Sequence, residues 1–432
     1  MPAVAFFEDQ FRNGLKNYIL GKGIEALQWA VYIMKILYID GHVKEKAGTD
    51  IVQALRDLGH DAQVYSDQPI RVSVLDDGIV QDLVSCVREH QIEILLSIHF
   101  IMCAELAAFQ LGIRYIAMLW DAPYTGIYNP LGRMGNVWVS TFDKLDMARL
   151  IEGGVKHVLY QPLAVNAKEM AQWNREIQDT LQGRYFHDIS MIGGLYEKNL
   201  YDEHLQQIPP ALQTYFSSIF EEAAFKWDGV NRIYGKTGSE ILQYIQKINP
   251  EFRIPNNQDI ADIRIFENYY LIRKAANIER IGVLNLLAET HAVKFYTNSQ
   301  VAGKMLVNVD LGPSVLYGRA TSMVYAGSRI NLNISLKGIE GGTPLRIMDI
   351  MGAGGFVLTS YCAETAELFE EDHEIVMFRT PEELLEKVDY YLAHDKEREQ
   401  IAQAGHEKVM HCYTYERKIK QLLEWVEREE KF

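Results

Sequence analysis

Apolar and polar positions change period repeatedly along this chain, and each change marks an element. An apolar run over 35–39 ends in Asp40-Gly41-His42. A helical period follows over about 49–58, Gly59-His60 stops it, and 61–65 reads as a strand. This strand–helix–strand beat is how a parallel α/β sheet begins. It continues with helices over 80–90 and 104–111, strands over 92–98 and 114–119, and two further strands over 137–140 and 157–160; Gln161-Pro162 closes the first half. A second unit opens with a strand over 188–192 followed by Gly193-Gly194. From about 200 to 280 the pattern is mostly helical, with breaks near Pro250 and Pro255. Alternation then returns, with strands over 291–297, 330–334, 356–359 and 375–378, and a short strand or turn over 314–316. Helices are predicted from Pro344, near Glu364 and over 381–394. The pattern predicts two α/β halves joined near residue 165. Ahead of them, residues 1–33 read as an added helical segment in which Phe7, Phe11, Leu15, Tyr18 and Ile19 recur at helical spacing.

Composition agrees with this division, because 432 residues, 48% hydrophobic and 23% charged, suffice for two cores at ~100–200 residues per domain. Charge narrows the partners. Lys and Arg number 43 against 58 Asp and Glu, a formal net charge of −15, which repels nucleic acid and anionic membrane surfaces. The apolar stretch over 26–39 is broken by Gln28 and Lys35 and is too short to span ~30 Å of hydrocarbon, so the chain is not expected to be membrane-embedded. Glu8 and Asp9 interrupt the start, so no signal peptide is read. Cys86, Cys103, Cys362 and Cys412 contain no C-x-x-C pair, which argues for reduced thiols in a cytoplasmic protein.

In open parallel sheets ligands bind at the carboxyl ends of the strands. That rule gathers Asp40, His42, His99 and Asp121 at one rim. Asp121 and His99, then His42, are the acid/base candidates; Trp120-Asp121-Ala122-Pro123 sets Asp121 between a buried strand and a Pro-fixed turn. In the second half, Gly341-Gly342-Thr343-Pro344 predicts a helix start, with Thr343 as N-cap and Pro344 at the first helical position. A helix N-terminus with Arg346 in its first turn suits a diphosphate, and Asp349 one turn on suits ribose hydroxyls. Gly193-Gly194, after a strand and near Lys198, suits a second phosphate contact, although a solvated lysine at a helix start is equally open. Tyr296 at a strand end can border a nucleobase; Lys337 and Arg319 add positive charge. The run Gly352-Ala353-Gly354-Gly355 follows a helix and precedes a strand, the reverse of a dinucleotide fingerprint, and so reads as a helix C-cap and tight turn. With no H-E-x-x-H, G-x-S-x-G, Walker A or D-x-D sequence, a metal-independent mechanism without a resident cofactor is expected.

The stretch from Leu345 to Thr359, LRIMDIMGAGGFVLT, with Glu367-Leu-Phe369, Glu374-Ile-Val-Met377, Arg398, Ala404-Gly405-His406 and Tyr413-Thr-Tyr415-Glu-Arg417, resembles the C-terminal half of the CgeB-like (spore maturation protein) glycosyltransferases, a bacterial family. Leu119-Trp-Asp-Ala-Pro123, Gly194 and Asn199-Leu-Tyr-Asp202 are similar to the remainder of those proteins. The resemblance spans 34–432 and is strongest over 330–417. It implies a GT-B architecture: two Rossmann-like parallel-sheet domains facing a cleft, over 34–165 (acceptor) and 166–415 (donor, with an insertion over about 200–280), and a terminal helix over 416–432 crossing back. It further implies a hexosyltransferase-type enzyme moving sugar from a UDP-, GDP- or dTDP-type donor to a glycan or protein hydroxyl. In that reading Gly194, Lys198, Tyr296, Lys337, Gly341, Gly342, Thr343, Arg346 and Asp349 hold the donor, with Lys198 and Arg346 on its phosphates and Asp349 on the ribose. The E-x7-E pattern of the wider family-4-like transferases sets its first Glu on Gly341, with Glu340 one position before it. The alternatives are a non-catalytic GT-B-fold subunit of a glycosylation system, or a nucleotide-sugar epimerase. Residues 1–33 match nothing in the family and are free for a homo-oligomer or partner contact.

Overall fold

The computed structural model describes residues 33–41, 46–66, 70, 74–205, 207–249, 252 and 261–428. The expected segment over 1–33 (save Ile33), His42, Pro250 and Pro255 therefore lie outside the described residues. Residues 34–432 form one unit.

Twelve strands among the described residues make two six-stranded sheets in which every pairing is parallel. The first contains β1 (Lys35–Ile39), β2 (Asp61–Tyr65), β3 (Ile94–Ile98), β4 (Arg114–Leu119), β5 (Val137–Thr141) and β6 (His157–Tyr160), in the order β2-β1-β3-β4-β5-β6. The second contains β7 (His187–Ile192), β8 (Val293–Tyr296), β9 (Asp310–Gly312), β10 (Ser328–Asn333), β11 (Val357–Ser360) and β12 (Val376–Phe378), in the order β12-β11-β10-β7-β8-β9. Strands covered by helices on both faces must be apolar on both, and all five residues of β3 and of β5 are buried.

Each sheet separates two apolar clusters. Leu37, Leu95 and Val139 pack on one face of the first sheet, and Ile36, Leu96 and Ile116 on the other. The helix Tyr415–Arg428 joins that second cluster through Ile419, Leu422, Leu423 and Val426, and so packs against the first sheet. Val283, Leu284 and Leu287 pack with the second sheet, whereas Leu205, Phe216, Phe266, Tyr270 and Ala275 form a separate core. Within it Glu267–Ile272 is a turn of π-helix, a form that is frequent at functional sites.

Three local expectations change. The segment over 314–316 is not a strand; the edge strand is Asp310–Gly312. Thr343 is not the N-cap of the donor helix and Pro344 is not its first residue. Pro344 is the cap, extended at φ −61°, ψ 145°, and the helix is Leu345–Gly352. Residue 343 is unavailable because its hydroxyl is buried against Thr365, 3.0 Å away. The run 352–355 does close that helix: the Ala353 N–H donates to Asp349 O, and Gly354 takes φ +77°, the left-handed region glycine adopts freely.

Candidate active site

In the second sheet the neighbours β7 and β10 are out of sequence order. Their carboxyl ends form the switch point at which such sheets bind ligands. Gly193 and Gly194 leave β7 there, and Ile334 leaves β10. Arg280, from the helix Arg273–Ala288, is only 4% exposed and spans the gap: Nη1 donates to Gly194 O (2.6 Å) and Nη2 to Ile334 O (3.0 Å). Its Nε has no hydrogen-bond partner among the described residues. Arg346, in the first turn of Leu345–Gly352, donates from Nη1 to Asn333 Oδ1 (3.1 Å). The two guanidiniums converge on Gly193: a Cβ there would stand 3.3 Å from Arg280 Nη1 and 3.4 Å from Arg346 Nη2. Burial, reinforced by the charge of Arg346, holds the Arg280 pKa below its ordinary value. Two cations packed this closely, bonded to backbone carbonyls, the Asn333 amide and Tyr325, are able to hold an anion together.

Asp349 lies beside this pair, buried, accepting from Tyr317 OH at 3.1 Å. Burial pushes its carboxyl up to about 7, and Asp50 of the first half adds to the rise. Arg346 and Asp349 lie one helical turn apart; Arg346 reaches Gly193, whereas Asp349 lines a recess with Asp50, Asn166, Trp173 and Tyr317. The other donor candidates scatter. Lys198 is exposed on the loop before Leu200–His204. Lys337 is committed to Glu279, 3.1 Å away and fully buried, and packs over Trp227. Arg319 pairs with Glu176 at an exposed helix start. The Tyr296 hydroxyl bonds His187 at the other end of β7, so its ring runs back along the sheet instead of bordering the rim. Gly341 and Gly342 face the first half: Gly341 N–H donates to Asp143 Oδ2, and Gly342 bridges Asp143. Glu340 is half-buried and ion-paired with Arg149.

The rim of the first sheet carries the acid/base candidates. His99, at φ +60° after β3, is stacked on Tyr124 with ring centroids 4.8 Å apart. Its loop is pinned from below, where Ser97 Oγ donates to His99 O and Tyr115 OH accepts from Ile101 N–H. His99 Nε2 stands 3.4 Å from Asp121 Oδ2, and the Asp121 side chain is 78% exposed. Asp40 is buried at the end of β1. The rim meets the second half where Thr125 Oγ1 contacts Tyr269 OH at 3.1 Å and Pro123 faces Gly338. Asp121 and His99 therefore stand on the same interdomain side as the arginine pair.

Arg280 is the residue that sequence reading missed, and a signal for it exists. It interrupts the apolar stripe Ala276, Val283, Leu284 and Leu287, all buried. A charge amid such a stripe is buried for a reason. A cavity of about 270 Å³ at the opposite pole of the second sheet contains none of the candidates; two of the three arginines on its wall are committed, Arg329 to Asp188 and Asp395 and Arg398 to Asp395. Among the described residues no group of three or more His, Cys, Asp or Glu could hold a metal ion. No described helix is long and apolar enough to cross a membrane.

Residues 284–424 match the family described as "Glycosyl transferase-like". Among solved structures, a glycosyltransferase from Rickettsia africae ESF-5 aligns with 92% of this chain and 98% of its own, at 10% identity and a TM-score of 0.51. The architecture is GT-B. Other GT-B neighbours are Anabaena Alr3699/HepE in complex with UDP-glucose (91% and 100% covered, 10% identity, TM-score 0.47) and UDP-GlcNAc 2-epimerase from Neisseria meningitidis bound to UDP-GlcNAc (91% and 100%, 10%, 0.47). No curated protein matches this chain. The glycosyl transferase-like region contains Asn333, Arg346 and Asp349, whereas Gly193, Gly194 and Arg280 precede it. Family match and fold together support glycosyl transfer in general.

Proposed function

We propose that the protein is a metal-independent, hexosyltransferase-type glycosyltransferase of CgeB-like kind. It takes sugar from a nucleoside diphosphate donor and passes it to a hydroxyl of a glycan or protein. The observation that carries this reading is the convergence of Arg280 and Arg346 on Gly193 at the β7/β10 switch point. Their charges neutralise the diphosphate as the bond to the anomeric carbon breaks and its electron pair leaves on phosphate oxygen. Asp349 accepts the ribose hydroxyls. Across the cleft Asp121 takes the acceptor hydroxyl proton as that oxygen bonds the anomeric carbon, and His99 orients the carboxylate. Unpaired cysteines accord with a cytoplasmic location.

Calorimetry with UDP, GDP and dTDP tests the donor half: one binds, and Arg346→Ala abolishes the heat. Binding of none, or binding unchanged in Arg346→Ala, refutes it. Asp121→Asn tests the acceptor half. Transfer or donor hydrolysis falls while nucleotide binding stays, and unchanged turnover removes Asp121 from the mechanism.

A further inference from the structure

The turn leading into the Arg346 helix is fastened from the other half of the molecule. Asp143, fully buried after β5, divides its carboxylate between two sets of amides. Oδ1 accepts from Leu145 N–H (2.8 Å) and Asp146 N–H (2.9 Å), capping the helix Lys144–Glu152. Oδ2 accepts from Glu340 N–H and Gly341 N–H, both at 3.0 Å, across the cleft. Lys144 N–H returns a bond to Gly341 O at 2.8 Å. Arg149–Glu340, Lys144–Glu367 and Tyr160–Glu364 flank the junction, each joining the first half to the second. The close approach demands glycine: a Cβ at 341 would lie 3.0 Å from Asp143 Oδ1 and Leu145 N, and one at 342 would lie 2.9 Å from the Phe142 ring.

We infer that Asp143 is a positioning residue: a latch that fixes the turn 340–343 across the cleft and thereby sets where Arg346 meets the donor diphosphate. The inference rests on the donor role proposed for Arg280 and Arg346. Donor binding and closure of the two halves then share one element, because a turn loosened from Asp143 carries Arg346 away from Gly193.

Asp143→Ser separates the latch from the helix cap, since serine caps helices well but has no second oxygen to reach Glu340 and Gly341. Amide hydrogen exchange over 338–344 is expected to rise at least tenfold. Calorimetric affinity for whichever of UDP, GDP or dTDP the wild type binds is expected to fall about tenfold, with the circular dichroism spectrum retained. Gly341→Ala, which crowds the carboxylate from the opposite side, reproduces both effects and serves if Asp143→Ser fails to fold. Unchanged exchange over 338–344 overturns the latch. Faster exchange with unchanged nucleotide affinity overturns its link to the donor. A wild type that binds none of the three nucleotides instead refutes the donor reading, and the coupling with it.

Discussion

Replacing Arg346 by methionine pits two effects of known size against each other. In the free protein Arg346 Nη2 and Arg280 Nη1 both approach one point beside Gly193, so they are less than about 7 Å apart. At an effective dielectric of 20 their repulsion is about 2 kcal/mol. The substitution removes it. It also leaves Asn333 Oδ1, fully buried, without its guanidinium donor, which costs about 1–3 kcal/mol. These nearly cancel, and Asp349, which also loses the charge of Arg346, can take up a proton, so the unliganded protein should melt within a few degrees of wild type. Nucleotide binding has no such compensation, because a lost charge-assisted contact to diphosphate costs about 2–4 kcal/mol, roughly 30- to 1,000-fold in affinity. Thermal unfolding with and without saturating nucleoside diphosphate reads both quantities. The expected outcome is a near-unchanged free protein whose ligand-induced stabilisation is lost. A melting point lowered by more than about 5 °C, or an affinity within threefold of wild type, would refute the reasoning, since Arg346 would then be structural or remote from the donor. Arg346→Lys should fall between, keeping the charge but not the fork.

Donor affinity should also depend on pH. The Asp349 carboxyl titrates at about 7, and its ionised form is the better acceptor for ribose hydroxyls, so calorimetric affinity should fall as pH drops through 7. Tyr317→Phe, which removes the hydrogen bond that favours ionisation, should move the midpoint upward. Burial raises Glu105 to about 8, against the opposing pull of Asn136. A carboxyl raised on folding favours the folded state while protonated, and that contribution is lost as pH climbs from about 4 to 8. Glu105→Gln should therefore raise the melting temperature at pH 8 by several degrees more than at pH 5. Gly193→Ala, whose Cβ would press both guanidiniums, should weaken nucleotide binding about tenfold by calorimetry. Asp121→Asn should lower turnover by about 10²–10⁴ in a donor-consumption assay without changing that affinity.

Local sequence determined the order of elements. Period, caps and turn residues depend on neighbours a few positions away, so β1, β3, β4 and β7, the helix behind Arg346 and the glycine turn after it were all legible. Arg346 and Asp349 share one helix, and their spacing alone brought them together. The tertiary structure decided what those elements face. Arg280 reaches Gly194 across 86 positions and Asp143 reaches Gly341 across 198, and nothing local encodes either meeting. The same holds for what the sequence misdirected. The Gly341-Gly342 turn serves the opposite half because Asp143 arrives there, Lys337 is consumed by Glu279, and Tyr296 folds back to His187. A residue's type and spacing fix the chemistry it can offer. Which partner takes up that chemistry is settled by the packing of two sheets and an inserted helical core, whose contacts join distant stretches of chain.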